Sequence, residues 1–229
     1  DAEGKFHLCF QNKGCTVKSS FDILVLAVPI PVLREKIEMN IPNLPTPISN
    51  LIRNLSYGKN GKFILFFDTP IWLQSEHGNR FNFVCKDFWI WDNSDHLQGH
   101  QQYGLTAFSG GSTLDWLSGE NDETIANEIL KTLENIFPEI RKYYTGFLRA
   151  DDWQRNPYIL GSYAGVIPPG QRDFIAEVEE LYHGNLFFTG ASWNKDYIGF
   201  MNGAVESGQK TAKNIVHTLQ SLEGLSLSN

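Results

Sequence analysis

The sequence predicts an α/β fold at the two ends of the chain and an α+β fold in its middle, and three stretches carry that prediction. Near the C-terminus, Leu186-Phe187-Phe188-Thr189-Gly190 reads as a buried apolar strand ending in glycine, and Gly199-Phe200-Met201-Asn202-Gly203-Ala204-Val205-Glu206-Ser207-Gly208 opens a long helical pattern. Near the N-terminus, Phe21-Asp22-Ile23-Leu24-Val25-Leu26-Ala27-Val28-Pro29 is a continuous apolar run bounded by prolines, the pattern of a strand buried on both faces. Between them, aromatic β-type segments alternate with helices. The expected divisions are 1–34, 35–150 and 151–229.

Composition bounds the possibilities. The chain of 229 residues is 41% hydrophobic and 13% aromatic, enough to fill a core. Nineteen basic against 26 acidic residues give a formal charge of −7 without a basic run, which argues against a nucleic-acid partner. No apolar stretch reaches the length of a membrane span, and no leader pattern opens the sequence. Cys9, Cys15 and Cys85 lack metal-ligand spacing and suit reduced thiols, which favours a soluble, cytoplasmic protein and no metal.

In order, Phe6, Leu8 and Phe10 alternate into a hairpin tip at Gln11-Asn12-Lys13-Gly14. The apolar run at 21–29 follows. Nothing upstream supplies the neighbours that such a strand needs, and no G-x-G-x-x-G fingerprint occurs, so the first half of a larger fold is expected on a partner chain. Residues 31–39 and 47–55 read as short helices around the Pro42/Pro45/Pro47 cluster. Residues 62–67, 81–85, 88–91, 103–108 and 143–148 read as strands in an antiparallel or mixed sheet. A turn is expected at Gly58-Lys59-Asn60-Gly61, and Gly110-Gly111-Ser112 breaks the pattern. A helix spans about 123–137, with Ile125, Ile129 and Leu133 at helical spacing and Pro138 ending it. Another is expected over 171–181. The last helix, 199–219, carries Met201, Ala204, Val205, Gly208, Ala212, Ile215, Val216 and Leu219 on one apolar face, with a frayed tail after Leu222.

A strand ending in glycine before a glycine-opened helix brings backbone N–H groups against a flat or phosphorylated ligand. Gly199, Gly203 and Gly208 serve equally well as packing glycines beneath a sheet.

Several segments in the same order resemble one family, the flavin-dependent amine oxidases. Ile23-Leu24-Val25-Leu26-Ala27-Val28-Pro29 is similar to the strand that ends beside FAD in that family. Pro42-Asn43-Leu44-Pro45, Tyr57-Gly58, Lys62 and Trp72 resemble its next landmarks. Trp153, Gly161-Ser162-Tyr163 and Pro168-Pro169-Gly170 follow, and the glycine-rich C-terminal stretch resembles the flavin signature. The resemblance implies the C-terminal portion of a two-domain FAD-binding fold. In it, 1–34 and 151–229 belong to the FAD domain and 35–150 to the substrate domain.

It further implies FAD-dependent oxidation of an amine or L-amino acid with O2 reduced to H2O2, in company with an N-terminal FAD-binding chain or fragment. Lys62 would hold a water near flavin N5, and Tyr163 and Phe200 would form an aromatic pair flanking the substrate amine. Val28, Trp153, Gly190, Ala191, Gly199, Phe200, Met201 and Ala204 would contact the cofactor. Read without the resemblance, Lys62 is a solvated strand lysine and the aromatics are core residues. Ser162 stands where some members carry a flavin-linked cysteine, so FAD would be held non-covalently; Ala191-Ser192 stands where an acidic residue is usual. Arg80, Arg149 and Arg155 are candidates to meet a substrate carboxylate, against the solvated surface arginine that is the commoner reading of each. A desaturase or protoporphyrinogen-oxidase-type flavoprotein, or a non-catalytic subunit, remain the alternatives.

Overall fold

The computed structural model describes residues 4–74, 81–94, 103–164 and 185–226. Pro168-Pro169-Gly170, the helix expected over 171–181, and Arg80 lie outside them. The chain forms two compact units: Asp1–Tyr57 with Tyr163–Asn229, and Gly58–Ser162. Residues 35–57 pack in the first unit and 151–162 in the second, so the compact units differ from divisions at 34/35 and 150/151.

In the first unit, β1 (Phe6–Asn12) and β2 (Cys15–Phe21) pair antiparallel across Lys13 and Gly14. Both turn residues have positive φ, 48° and 83°, as a two-residue type I′ hairpin demands. Strand β3 (Leu24–Leu26) pairs in parallel with β9 (Leu186–Phe188), Leu24 facing Leu186 and Leu26 facing Phe188. Helices α1 (Ile30–Lys36) and α2 (Thr46–Asn54) each carry proline in the first turn, where no N–H is needed. They bury Ile30, Leu33, Ile48, Leu51 and Ile52 against Leu186, Phe188 and Trp193. Arg34 donates to the carbonyls of Ile52 and Leu55 at 3.3 and 3.2 Å, satisfying oxygens left over at the end of α2.

Two expectations need correction here. The apolar run at 21–29 is a three-residue strand and is not buried on both faces: Val25 is 40% exposed. Among the described residues β3 pairs with β9 alone, which lies downstream rather than upstream. The last helix, α5 (Met201–Ser226), extends past Leu222 to Ser226. Its apolar residues do not face the core either, for Met201, Val205, Val216 and Leu219 are exposed. The side it buries is the small and polar row Gly203, Ser207 and Thr211, four residues apart. Small side chains let the helix axis approach the loop before it, and hydroxyls satisfy the polar atoms that come with close approach.

The second unit is a five-stranded antiparallel sheet in the order β5-β6-β7-β4-β8. Its strands are β4 (Asn60–Phe67), β5 (Asn82–Val84), β6 (Trp89–Asp92), β7 (Tyr103–Gly110) and β8 (Tyr144–Asp152). Asn60 and Gly61 belong to β4 rather than to a turn, because they pair with Gly110 and Ser109. Alternation in β4 sends Phe63, Leu65 and Phe67 into a core with Trp72, Ile90, Leu105 and Ile129.

Helix α3 (Ser112–Leu117) follows the Gly110-Gly111 break that reads as mere punctuation in the sequence. Helix α4 (Asp122–Glu134) starts where Asn121 Oδ1 accepts from Thr124 N–H at 2.9 Å, and it buries Ile125, Ile129, Leu130 and Leu133. The Arg141 guanidinium bonds Glu134 at 2.8 Å and holds its carboxyl below the usual carboxylate range. That support is present at neutral pH and fades as pH falls through the lowered titration of Glu134.

Leu65, with no solvent exposure, is the sharpest probe of this core. Leu65→Ala is expected to lower unfolding free energy by about 2–5 kcal/mol, read by denaturant titration with an unchanged m-value.

Candidate functional site

The candidate residues divide between the units. In the first unit, the chain leaves the carboxyl ends of β3 and β9 side by side, with Thr189 N–H donating to Leu26 C=O at 3.1 Å. Val28 and Gly190 stand just past those ends, the end of a parallel pair at which open α/β sheets bind ligands. Val28 packs against the Ile30/Leu186 core. Gly190 has φ 127°, outside the range of ordinary L residues, and turns the chain into a short 3-10 helix, Ala191–Trp193.

Gly199 N–H donates to Ala191 C=O at 2.9 Å, which brings the glycine opening α5 onto that turn. A Cβ at Gly199 would lie 3.6 Å from Ala164 O and 3.7 Å from Tyr163 Cβ. Tyr163 therefore lies close to Gly199, and both Tyr163 and the following Phe200 are exposed, at 49% and 67%. Met201 stands in the first turn of α5 and is exposed, while Ala204 is half-buried.

Beneath this surface lies a polar network that the sequence reading missed. Ser192, buried, shares a 2.5 Å hydrogen bond with the hydroxyl of Tyr57. Ser207 receives Gly190 N–H at 3.3 Å and sits 3.1 Å from Thr189 Oγ1. Asn194, wholly buried, donates to Glu206 at 2.9 Å and accepts from the Tyr197 amide at 2.7 Å. The signal was present as the Ser207/Thr211 spacing on a helix whose apolar positions point elsewhere.

In the second unit, Lys62 lies on β4 opposite Asp151, and Trp153 immediately follows the end of β8 at Asp152. Lys62 is exposed and has no ion pair or hydrogen bond among the described residues. Trp153 is 38% exposed. Ser162 donates to Asn60 Oδ1 at 2.6 Å and so has an ordinary structural role.

The comparisons with known proteins bear on this arrangement. The family profile for flavin containing amine oxidoreductases matches residues 3–216. The chain belongs to that family. It is 26% identical over 196 residues to probable polyamine oxidase 4 of Arabidopsis thaliana, covering 84% of this chain and 38% of that protein. Over 200 residues it is 24% identical to amine oxidase [flavin-containing] B of Bos taurus, covering 86% of this chain and again 38% of the relative. The cyclohexylamine oxidase from Brevibacterium oxydans IH-35A superposes with TM-score 0.73 at 20% identity, over 93% of this chain and 46% of that one. The chain thus spans less than half the length of these relatives.

The fold is that of part of an FAD-binding amine oxidase, and FAD is the cofactor the family implies. The residues present fit a flat aromatic group. Tyr163, Phe200 and Met201 expose apolar surface around the positive-φ Gly199, and the opening N–H groups of α5 have no partner within their own helix. Trp193 Nε1 is buried without a hydrogen-bond partner among the described residues. Among those residues, no helix is long and apolar enough to cross a membrane.

Proposed function

We propose that this chain forms the C-terminal part of an FAD-dependent oxidase of amines or L-amino acids, completed by an N-terminal FAD-binding chain or segment. The observation that carries the reading is the close approach of Tyr163 to Gly199, the residue before Phe200, with both aromatic side chains exposed. Exposed Val25 on a strand that pairs only with β9 among the described residues, and the exposed apolar residues of α5, support the further segment.

A bound flavin would supply two-electron redox chemistry, taking a hydride from the carbon of the C–N bond as the nitrogen loses a proton and passing two electrons and two protons to O2 to give H2O2. Val28, Gly190, Ala191, Gly199, Met201 and Ala204 hold the cofactor by close backbone approach and apolar contact. Tyr163 and Phe200 flank the substrate amine and keep water from it. Lys62 would hold a water by its ammonium group, and Trp153 would contact the edge of the cofactor ring. Ser162 offers no thiol, so the cofactor is held without a covalent bond.

The test is peroxide release by the purified native assembly across a panel of amines and L-amino acids, with a mass measurement of the chains present. Substrate-dependent peroxide and a second chain or longer precursor are expected. A stable, yellow, monomeric protein from this chain alone would overturn the need for the further segment. Acid denaturation should release all flavin into the supernatant; flavin retained on the polypeptide would contradict non-covalent binding.

A further inference from the structure

Among the described residues, the face of the five-stranded sheet opposite the Leu65 core is open in part, with Lys62, Arg149, Phe147 and Trp89 exposed, Ile64 and Phe108 half-buried and Thr106 buried, and register fixes which side chains share it. Lys62 stands between Asp151 on β8 and Phe108 on β7, and Phe108 stands beside Trp89 on β6. One row along, Ile64 stands between Arg149 and Thr106, and Thr106 stands beside Trp91. Trp89 and Phe147 are 47% and 58% exposed, and the Phe66 and Phe147 rings meet at 5.3 Å. An aromatic platform therefore adjoins a short charged row.

The charge of that row is unbalanced. Asp151 is the one carboxylate beside two cations, Lys62 and Arg149. Arg149 Nε lies 3.7 Å from Asp151 Oδ2, and the Arg149 side chain is 67% exposed. Its Nη1 and Nη2 donors make no hydrogen bond among the described residues. An exposed guanidinium with a carboxylate on its Nε side and both Nη atoms open is set to take a second carboxylate through two parallel hydrogen bonds.

Arg155 is placed differently. It lines a cleft of about 450 Å³ with Glu120, Asp122 and Asp152, whose negative charge disfavours a second anion. A diammonium substrate is disfavoured on the open face in turn, because Lys62 repels it and Asp151 is already engaged.

We propose that the open face selects a substrate bearing a carboxylate and an apolar side chain, an aromatic or large aliphatic L-amino acid, with Arg149 as the carboxylate-binding residue and Asp151 as its positioning partner. This rests on the reading of Lys62 as a residue of the oxidase site. Arg149 lies one row from Lys62, about 7 Å along the strand, within reach of a long side chain.

The test uses the native assembly and two probes that share a phenylpropyl body, phenylpropanoate and phenylpropylamine, titrated by calorimetry. Phenylpropanoate is expected to bind at least about tenfold more tightly. Arg149→Met should remove that preference without weakening phenylpropylamine binding, and Arg149→Lys should restore part of it. In turnover, Arg149→Met should raise KM for L-phenylalanine more than it lowers kcat and leave phenylethylamine unaffected. Tighter binding of the amine, or a wild-type preference in Arg149→Met, would overturn the proposal. Carboxylate preference lost with Arg149 in an assembly that no substrate reduces would instead overturn the oxidase reading, so the two failures are distinct.

Discussion

Gly203→Ala is expected to be the most damaging single-methyl change in the first unit. A Cβ built there lies 2.3 Å from the carbonyl oxygen and 2.9 Å from the carbonyl carbon of Tyr197. Both are backbone atoms, so no rotamer relieves the clash; either the start of α5 or the 197–200 loop must move. That loop carries the Gly199 N–H to Ala191 C=O bond and the Tyr163 contact, so its displacement separates the groups proposed to face the flavin. The cost is about 1–3 kcal/mol or more.

Thermal unfolding of the native assembly should show a lowered midpoint together with weakened flavin retention. Gly208→Ala is the control on the same helix, for its Cβ meets nothing nearer than Thr189 Oγ1 at 4.0 Å. There the gain in helix propensity, about 0.5–1 kcal/mol, should leave stability equal or improved. Equal losses from both substitutions would show that close approach at Gly203 does not organise this region.

Lys62→Met is expected to have the largest effect on turnover with the smallest effect on folding. The side chain is exposed and has no partner among the described residues, so its removal leaves no buried group unsatisfied. Methionine keeps the length and the strand position while removing the ammonium. If Lys62 holds the reacting water, reoxidation by O2 should slow by roughly 10²–10³, the range of one well-placed proton-handling or electrostatic group. Stopped-flow kinetics separates this from the reductive half-reaction. Unchanged turnover would return Lys62 to the solvated strand lysine that its exposure alone suggests and would favour a desaturase-like flavoprotein.

Local pattern was enough for the elements whose residues answer to one environment. The alternation of Phe63, Leu65 and Phe67 marked β4, and the spacing of Ile125, Ile129 and Leu133 marked α4. It misled where an apolar run meets more than one environment. Val25 and Val205 have the composition of core residues, yet both are exposed among the described residues, and the run at 21–29 therefore suggested a longer, doubly buried strand than β3.

Of the candidate site, the identities of Lys62, Tyr163 and Phe200 followed from ordered resemblance, and their roles stand as proposals. The buried Tyr57–Ser192 and Asn194–Glu206 bonds join residues 135 and 12 positions apart and depend on tertiary approach that no spacing rule supplies. The open-face row of Arg149, Asp151 and Lys62 likewise emerges only from strand register.

The most direct test of the central claim is the absorption spectrum of the native assembly purified through this chain, recorded anaerobically before and after substrate. The account predicts an oxidised-flavin spectrum at one flavin per copy of this chain, bleached by an amine or L-amino acid and restored by O2 with release of peroxide. An assembly without flavin, or a bound flavin that no amine or L-amino acid across the panel reduces, would contradict it.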